Sequence, residues 1–490
     1  MKKPNIIFIL SDDQGAWAMN CAGNTDIITP NLNRLAEKGV LFENFFCASP
    51  VCSPARASIV TGTLPSYHGV IDWLSGGNID ANKYPELKDR CNKKNDVGVE
   101  YLDGKPFYVK ELADGGYTCA HSGKWHLGAN DKIKNGYTKW SALEGGGCSY
   151  FVPNIFEDGK FTCHNEYVTD VITEKALEYL DDLSKEENPF YLSVHYTAPH
   201  SPWDEENHPK KYLDMYRDSE FNFTPKLPLH KNQITSAPIA TNESERRDNL
   251  RGYYAAITAM DENIGKILDK LEQSGKLEDT VIIFTADNGM NLGHHGIWGK
   301  GNGTYPQNMY DTSVKIPFII SAPFIKEENK IYHNLYSHCD IFQTILEIAD
   351  IKYDNSQEQP GTSFYRNLCE GEQIENRDVL VCSEYGAVRM LRTNSKKLVL
   401  DYKNHENFFF DLDKDPNEEN NLINNSAYQT EIQANKEKLE ELFTKYSSTD
   451  NDARQFAVSG RGQTNMATKE NSFVNRIGFV NEDLNEKYKL

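Results

Sequence analysis

Residues 5–13, with the sequence NIIFILSDD, decide the fold class of this 490-residue chain. The run up to Leu10 is apolar and rich in β-branched residues, which is typical of a strand buried on both faces of a parallel sheet. Asp12 and Asp13 follow at the carboxyl end of this strand, where open α/β sheets place their ligands. An isolated acidic pair after a strand is more often a solvated turn. A binding site here therefore requires a second acidic cluster placed in the same way.

A second cluster follows a second apolar run. The periodic pattern of residues 249–275 predicts a long helix, and residues 281–285, VIIFT, predict the next buried strand. Asp287 and Asn288 stand at the end of that strand, so both clusters are expected at one edge of one sheet. The four side chains offer only oxygen ligands, which favours Ca²⁺ or Mg²⁺ over Zn²⁺ or copper.

A reactive centre is indicated by the stretch SPVCSPARASIVTGTLPSYHG, which follows the predicted strand 40–46. Within it Cys52, Pro54 and Arg56 form a C-x-P-x-R pattern. This pattern sets a thiol beside a residue of fixed φ and one helical turn from a permanent cation. A helix beginning here would direct its backbone amides at a bound anion. The alternative is that Cys52 is a small buried hydrophobic residue, as most free cysteines are.

Further cations and histidines follow other predicted strands. In the hexapeptide GKWHLG, Lys124 and His126 are two residues apart and are expected on the same side of an extended segment. In HYTAPHSPW, His195 and His200 follow an apolar run and stand beside prolines. Lys300 lies in a glycine-rich loop, which is typical of close approach to a ligand. The alternative for each is a surface lysine or a structural histidine.

The C-x-P-x-R pattern, GKWHLG and the two acidic clusters resemble the motifs of the type I sulfatases, which belong to the alkaline phosphatase-like superfamily, and they occur in that family's order. The resemblance implies that Cys52 is oxidised to Cα-formylglycine by a formylglycine-generating maturation enzyme. It also implies that Asp12, Asp13, Asp287 and Asn288 bind a divalent cation, most often calcium, with magnesium as the other possibility.

The resemblance also implies a mechanism. A hydrated aldehyde attacks the sulfur of a sulfate monoester, whose oxygens must be neutralised and whose leaving alcohol must be protonated. Lys124, Lys300 and the metal would bind the sulfate oxygens, and Arg56 would support the aldehyde hydrate. His200, together with Lys300, would protonate the leaving oxygen. His126 would then take the proton of the second hydroxyl as sulfate leaves.

The substrate implied is a sulfated carbohydrate or an aryl sulfate. Aromatic and imidazole side chains near the motifs can stack on a sugar ring, although each of them fits a core position equally well. The candidates for substrate binding are His195, Trp203, His295, Trp298 and Tyr305.

Two alternatives stay open at this point. The same fold and metal site could cleave phosphate or phosphonate esters, which carry more charge, so relative activity on aryl sulfate and aryl phosphate separates the two. The chain could also be a catalytically silent sulfate-binding or interaction protein in which Cys52 stays a thiol, which weighs about 18 Da more than the aldehyde. The complete set of lysines, histidines and carboxylates argues against this silent form.

The amino-acid composition limits the classes of partner that this chain can bind. Lys and Arg number 52 against 72 Asp and Glu, giving a formal charge of −20, which argues against non-specific binding to nucleic acid or to an anionic membrane. No apolar run approaches the roughly 18 residues of a membrane span. The ten cysteines show neither disulfide nor zinc spacing, and the N-terminal apolar run lacks a cleavage site. We therefore expect a cytoplasmic enzyme, exported only if a leader has been removed, that acts on a sulfated mono- or short oligosaccharide. The oligomeric state is left open.

These patterns predict an α/β fold with a large, mostly parallel central sheet between helices, followed by a smaller C-terminal α+β domain. The catalytic domain is predicted to span residues 1–365 and the C-terminal domain residues 366–490. Within the second domain, residues 389–392, 397–402 and 408–412 predict a short antiparallel sheet. A charged amphipathic helix is predicted after that sheet.

Three other stretches are predicted from polarity. Residues 71–105 and 204–247 are polar and irregular, which is typical of surface excursions, and the first of them could form a wall of the pocket. The polar tail nevertheless contains apolar residues such as Phe473 and Ile477, which predict that it docks on the folded chain.

Overall fold

The structure is a computed structural model that describes residues 3–80, 82–84, 97–353, 358–371, 377–384, 386–452, 454 and 462–467. The predicted docking of the tail around residues 473–480 lies outside these ranges. Within them, no helix combines the length and the apolar character that crossing a membrane requires.

The helices and strands alternate along the first two thirds of the chain. The α-helices are α1 (Pro30–Glu37), α2 (Cys52–Thr61), α3 (Pro65–His68), α4 (Tyr108–Asp114), α5 (Val168–Leu183), α6 (Lys210–Met215), α7 (Glu243–Gln273), α8 (Asp311–Val314), α9 (His338–Ile348), α10 (Tyr365–Glu370) and α11 (Gln429–Tyr446). The strands are β1 (Asn5–Ser11), β2 (Val40–Phe46), β3 (Thr118–Gly123), β4 (Tyr137–Leu143), β5 (Asn154–Glu157), β6 (Lys160–Cys163), β7 (Phe190–His195), β8 (Thr280–Ala286), β9 (Asn291–Leu292), β10 (Trp298–Gly299), β11 (Lys315–Ile316), β12 (Phe318–Ser321), β13 (Lys330–Ser337), β14 (Val379–Ser383), β15 (Val388–Arg392), β16 (Lys396–Asp401) and β17 (Phe408–Asp411).

A large sheet forms the centre of the molecule. Its middle strands run in the order β8-β1-β7-β3-β4, and every neighbouring pair among them is parallel. Antiparallel strands flank this block, with β12 beside β8 and with β5 and β6 beyond β4. The predicted α/β fold with a mostly parallel central sheet is therefore confirmed.

The continuous apolar run of β1 has a simple structural cause. Ile7 and Ile9 face one core, which is covered by α1, α5 and α7, while Ile6 and Phe8 face the opposite core, which is covered by α2, α4 and α9. Because successive side chains of a strand point to opposite faces, a strand with helices on both sides needs apolar residues at every position.

A second, four-stranded antiparallel sheet follows in the order β14-β15-β16-β17. The three predicted segments appear as β15, β16 and β17, and β14 is an additional strand that the sequence pattern did not indicate. One face of this sheet packs with α11 around Leu439 and Phe443. Its other face sends Val381 and Met390 into the core of the large sheet. The exact division at residue 365 stays a prediction.

Residues 71–105, after α3, were predicted to form a surface excursion, and this prediction is wrong for the first part of the segment. Ile71, Leu74 and Ile79 are at most 2% exposed, because this segment passes beneath other parts of the chain. The excursion at 204–247 is likewise only partly exposed, since Tyr212 and Tyr216 of the α6 region pack into the core.

Candidate active site

The two acidic clusters meet at one edge of the large sheet. β1 and β8 are parallel neighbours, with Ser11 level with Ala286, so the residues that follow them leave the sheet side by side. The backbone N–H of Asp13 donates to Asp287 Oδ1 at 3.1 Å, and Asn288 Nδ2 donates to Asp13 Oδ1 at 2.9 Å. A left-handed backbone at Asp13, with φ of 62°, turns its side chain back toward the cluster.

Three buried cations face these carboxylates. Lys124, which follows β3, binds Asp12, and Lys300 Nζ lies 2.5 Å from Asp13 Oδ1. Arg56, one turn into α2, donates from Nε to Asp287 Oδ2 at 2.9 Å. Charges buried so deeply persist because they are paired, since an unpaired ion would be strongly destabilising there.

The carboxyl groups of the cluster differ in acidity. Burial, reinforced by Asp287, raises the pKa of Asp12 to about 8 despite the opposing charge of Lys124. Burial acts in the same direction on Asp13, but Lys300, His200 and Lys124 outweigh it and hold the pKa of Asp13 below its ordinary value. The cluster therefore combines carboxylates of unequal affinity for protons, as expected where like charges converge.

The oxygen atoms of this cluster fit a divalent cation. Asp12 Oδ1 and Asn288 Oδ1 are buried and have no hydrogen-bond partner in the described part of the chain. Asp12, Asp13 and His200 each present a possible ligand atom, and these atoms lie within 4.8 Å of one another. Carboxylate and amide oxygens are the ligands of hard cations such as Ca²⁺ and Mg²⁺. The donor set thus suits such an ion, with one imidazole at its edge.

His200 at this position was not among the metal ligands that the sequence predicted. Its Nε2 is 3.7 Å from Asp13 Oδ2, and its Nδ1 is 2.7 Å from the carbonyl of Ser201. Because a carbonyl only accepts hydrogen bonds, Nδ1 carries the proton in the neutral ring and Nε2 faces the cluster. The signal available in the sequence was the position of HYTAPH after β7, the parallel neighbour of β1.

Cys52 is the first residue of α2, in which every residue is buried. Burial raises the pKa of its thiol above the ordinary value, although Lys300 and Lys124 act in the opposite direction. An unmodified thiol at this position is therefore protonated at neutral pH, and a protonated thiol is a weak nucleophile.

His126 lies close to the same site but not by the predicted route. Its φ is 56°, and Gly123, three residues earlier, has a φ of 117°, so the predicted extended segment is interrupted at both of its ends, while Lys124 and His126 still lie near one another. The ring is buried, its Nε2 is 3.0 Å from the carbonyl of Leu74, and its Nδ1 has no partner among the described residues. Burial, with the nearby Lys124, keeps the pKa of His126 well below its ordinary value, so the ring is neutral.

Three of the proposed substrate-binding residues occupy structural positions instead. Trp203 is 1% exposed and donates from Nε1 to the Pro199 carbonyl, and Trp298 is 3% exposed within the core. His195 is buried with Nδ1 3.2 Å from the Lys124 carbonyl. These rings offer no free face to a sugar, because packing in the core already covers them.

The other two candidates keep some accessible surface. The ring of His295 stacks on Tyr310 at 3.8 Å between ring centroids, and Tyr305 is partly exposed. Both belong to the region around the Lys300 loop, so their roles stay predictions.

Fold and site together define a class: an α/β protein whose parallel strands deliver carboxylates, buried cations and a helix-initial cysteine to one edge of the sheet. A protein-family model described as sulfatase matches residues 4–351. A second, described as the C-terminal part of N-sulphoglucosamine sulphohydrolase, matches residues 293–445. The chain belongs to the sulfatase family, and it is a sulfuric ester hydrolase.

Alignments with named relatives cover most of the chain. An N-acetylglucosamine-6-O-sulfatase of Bacteroides thetaiotaomicron is 27% identical and covers 93% of this chain and 88% of its own length. A ulvan-active sulfatase of Formosa agariphila is 28% identical and covers 91% and 83%.

Solved structures share the fold. A protein in complex with its substrate D-glucosamine-2-N,6-O-disulfate aligns with a TM-score of 0.74 at 24% identity, covering 92% of this chain and 99% of that one. A phosphonate monoester hydrolase of Agrobacterium radiobacter aligns with a TM-score of 0.69 at 20% identity, covering 90% and 96%. Such similarity establishes the alkaline phosphatase-like architecture and leaves the substrate to the site itself.

Proposed function

We propose that this sulfatase removes sulfate from a small sulfated carbohydrate, using a formylglycine made from Cys52 and a divalent cation, Ca²⁺ or Mg²⁺. One cluster of side chains supports this proposal. A helix-initial cysteine whose thiol is protonated stands among two buried lysines and three carboxylates, and buried oxygens there have no hydrogen-bond partner among the described residues. Relatives named for N-acetylglucosamine 6-sulfate and ulvan support a sulfated sugar as the substrate.

The groups that such an enzyme adds to the chain have limited roles. When present, the aldehyde hydrate supplies a nucleophilic hydroxyl, and the cation supplies positive charge beside the sulfate oxygens. Asp12, Asp13, Asp287 and Asn288 would hold the cation, with His200 within reach of it. Their buried and partly unpartnered oxygens support this assignment.

The chain's own residues supply binding and proton transfer. Lys124 and Lys300 would neutralise sulfate oxygens, because both side chains are buried beside the cluster and each pairs with one of its carboxylates. Arg56 is fixed between Asp287 and the Lys124 carbonyl, so it would hold the first turn of α2 in place.

Two histidines would move protons. His200 would donate from Nε2 to the leaving oxygen in its doubly protonated form, because in the neutral ring the proton is on Nδ1; the ammonium group of Lys300 is the second donor. His126 would accept a proton at Nδ1, the ring atom that no described residue engages.

The state of the cysteines bears on the cellular compartment of the enzyme and on its partners there. The cysteines of the described chain are free, which supports a reducing compartment such as the cytoplasm. A formylglycine-generating enzyme would act on Cys52, and an enzyme kept in the cytoplasm would meet a monosaccharide or a short oligosaccharide. Recovery of the native protein from outside the cell would contradict this location.

The test compares three substrates after coexpression with a formylglycine-generating enzyme: an aryl sulfate, the matched aryl phosphate and glucosamine 6-sulfate. We expect sulfate release from the first and third, and loss of at least about 1,000-fold in Cys52→Ala, because the nucleophile is removed. Cys163→Ala is the matched control, since Cys163 is exposed and outside the site. Intact mass of the Cys52 peptide reports the aldehyde.

Each outcome has a defined meaning. Sulfate release by Cys52→Ala at the wild-type rate would overturn the aldehyde mechanism. A better rate on the aryl phosphate would favour a phosphate or phosphonate ester hydrolase, the activity named for one structural neighbour. Loss of activity on dialysis against a chelator, restored by Ca²⁺ or by Mg²⁺, would identify the ion.

A further inference from the structure

A segment near the C-terminus lies directly against the loop that follows the nucleophile helix. Residues 69–76 come after α2 and α3, and residues 462–467 run beside them. The N–H of Gln463 donates to the Trp73 carbonyl at 2.8 Å, and the N–H of Ser75 donates to the Gln463 carbonyl at 2.9 Å. This C-terminal segment therefore pairs with the loop as a short parallel bridge outside both main sheets.

The side chain of Gln463 tightens this pairing. Its Oε1 accepts from the N–H of Ile71 at 2.9 Å, and its Nε2 donates to the carbonyls of Gly69 at 3.0 Å and Asn465 at 2.9 Å. The residue is only 2% exposed. A primary amide is the side-chain group that offers an acceptor and two donors together at this reach, so the glutamine satisfies backbone groups that would otherwise be buried without partners.

The same loop contacts the reactive centre through Leu74. The carbonyl of Leu74 is 3.0 Å from Nε2 of His126, and its N–H donates to Ser53 Oγ at 3.1 Å. Ser53 is the residue after Cys52. Leu74 thus connects the segment held by Gln463 with His126 and with Ser53, the residue next to Cys52.

The Leu74 carbonyl also determines which tautomer the neutral ring of His126 adopts. A carbonyl oxygen only accepts, so Nε2 of the imidazole must carry the proton. The neutral ring then keeps its lone pair on Nδ1, the buried atom without a partner among the described residues. If the loop moved, the ring could rotate or exchange tautomers, and the lone pair would no longer be held in place.

We propose that Gln463 is a positioning residue of the sulfatase site, which holds residues 69–76 so that the Leu74 carbonyl fixes the orientation and the tautomer of His126. This inference rests on the proposed role of His126 in accepting a proton as sulfate is released. It extends the site to residue 463, far in sequence from the family's motifs and well beyond the region matched by the sulfatase model.

The test is a double-mutant cycle on the full-length, aldehyde-containing enzyme with an aryl sulfate. We expect Gln463→Ala to lower kcat by about 10- to 100-fold, the range found for residues that orient a functional histidine, with KM changed by less than about 3-fold. In a His126→Ala background the same change should alter kcat by less than about 2-fold, because the interaction it supports is already gone. A role in general stability would give equal losses in both backgrounds and would overturn the proposal.

Matched variants complete the design. Gln433→Ala, at an exposed glutamine of α11 that bonds Glu437, should leave kcat unchanged. Gln463→Glu retains the size and the acceptor but lacks the donor, and should show the same coupling if Gln463→Ala fails to fold. The Cys52 peptide mass confirms equal maturation of all variants.

Kinetics of the single variants distinguish the role of Gln463 from that of His126. Wild-type activity of His126→Ala would refute the proposed role of His126, whatever Gln463→Ala does. A large loss in His126→Ala with wild-type kcat in Gln463→Ala and Gln463→Glu would refute the positioning role alone.

Discussion

Gly146 shows how closely the backbone approaches a candidate catalytic ring. A Cβ built at this position would lie 2.2 Å from Cε1 and 2.3 Å from Nε2 of His126. Such distances are impossible, so Gly146→Ala must displace the imidazole or the loop. We expect kcat to fall by about 10- to 100-fold, because small displacements of catalytic groups have effects of this size. Steady-state kinetics on an aryl sulfate measures it.

The neighbouring glycine is a matched control for this change. A Cβ at Gly145 meets no atom of the described residues within 4 Å, so Gly145→Ala should retain wild-type kcat and thermal stability. Equal kinetics for the two variants would show that the His126 ring tolerates displacement and would contradict its role in proton transfer.

At the scale of single residues, the sequence predicted those side chains whose chemistry is visible in a motif. Asp12 and Asp287 converge as expected, because the apolar runs before them form adjacent parallel strands. Leu74 and Gln463 could not be predicted, since one acts through its backbone carbonyl and the other through contacts across almost four hundred residues. Trp203 was misjudged because an aromatic residue near a motif looks the same whether it binds ligand or fills the core.

At the scale of elements, helix α1 is held by a neighbour and not by its own cap. Thr29 precedes it but accepts from the N–H of Asn20 and makes no capping bond. Asp261 of α7 supplies that function, with Oδ2 accepting from Asn31 N–H at 3.0 Å and Oδ1 from Leu32 N–H at 2.8 Å. A proline at the first helical position and Gly39 just past the end mark the bounds of α1 in the sequence, whereas nothing in the sequence marks Asp261 as its capping partner.

This arrangement makes Asp261 a testable stabilising residue. Asp261→Ala would leave the buried N–H of Leu32 and the partly buried N–H of Asn31 without acceptors, and we expect the free energy of unfolding to fall by about 2 kcal/mol. Urea denaturation at neutral pH measures the change. Glu262→Ala, at an exposed neighbour that pairs with Lys211, should change it by less than about 0.5 kcal/mol. Comparable losses in both variants would show that the contact with α1 is not the cause.

The direction of the flanking strands could not be predicted from the sequence patterns. Residues 315–322, KIPFIISA, form a largely apolar run, but Pro317 separates β11 from β12, and β12 runs antiparallel to β8. An apolar run specifies burial on both faces and carries no information on direction. The central parallel block was predictable because helices alternate with its strands, which requires crossover connections.

At the scale of the whole molecule, buried neutral histidines should make the fold sensitive to acid. Burial lowers the pKa of His68 to about 3, of His121 to about 3, of His208 to about 4 and of His294 to about 3. His68 shows the reason, since its Nδ1 accepts from the N–H of Val70 at 3.1 Å and has no room for a proton.

The sign of the effect follows from proton binding. In the unfolded chain these rings gain protons below a pKa of about 6.5, whereas the folded chain excludes protons until the pH approaches 4 or lower. Below pH 6.5 the unfolded state therefore binds more protons, and stability is lost as the pH falls. Burial raises the pKa of Asp12 to about 8, of Glu418 to about 7 and of Asp261 to about 6, and these three groups oppose the trend but are fewer than the histidines.

We therefore expect the free energy of unfolding, measured with urea in steps from pH 7.5 to pH 4.5, to fall by several kcal/mol, since each buried histidine contributes up to about 1.4 kcal/mol per pH unit. His208→Gln should reduce the slope below pH 6.5, because its ring no longer titrates on unfolding. Gln433→Ala, at an exposed side chain that does not titrate, should leave the slope unchanged. A free energy of unfolding that stays level or rises between pH 6.5 and 4.5 would show that the buried histidines are protonated in the folded enzyme, and that their hydrogen bonds rearrange to accept the charge.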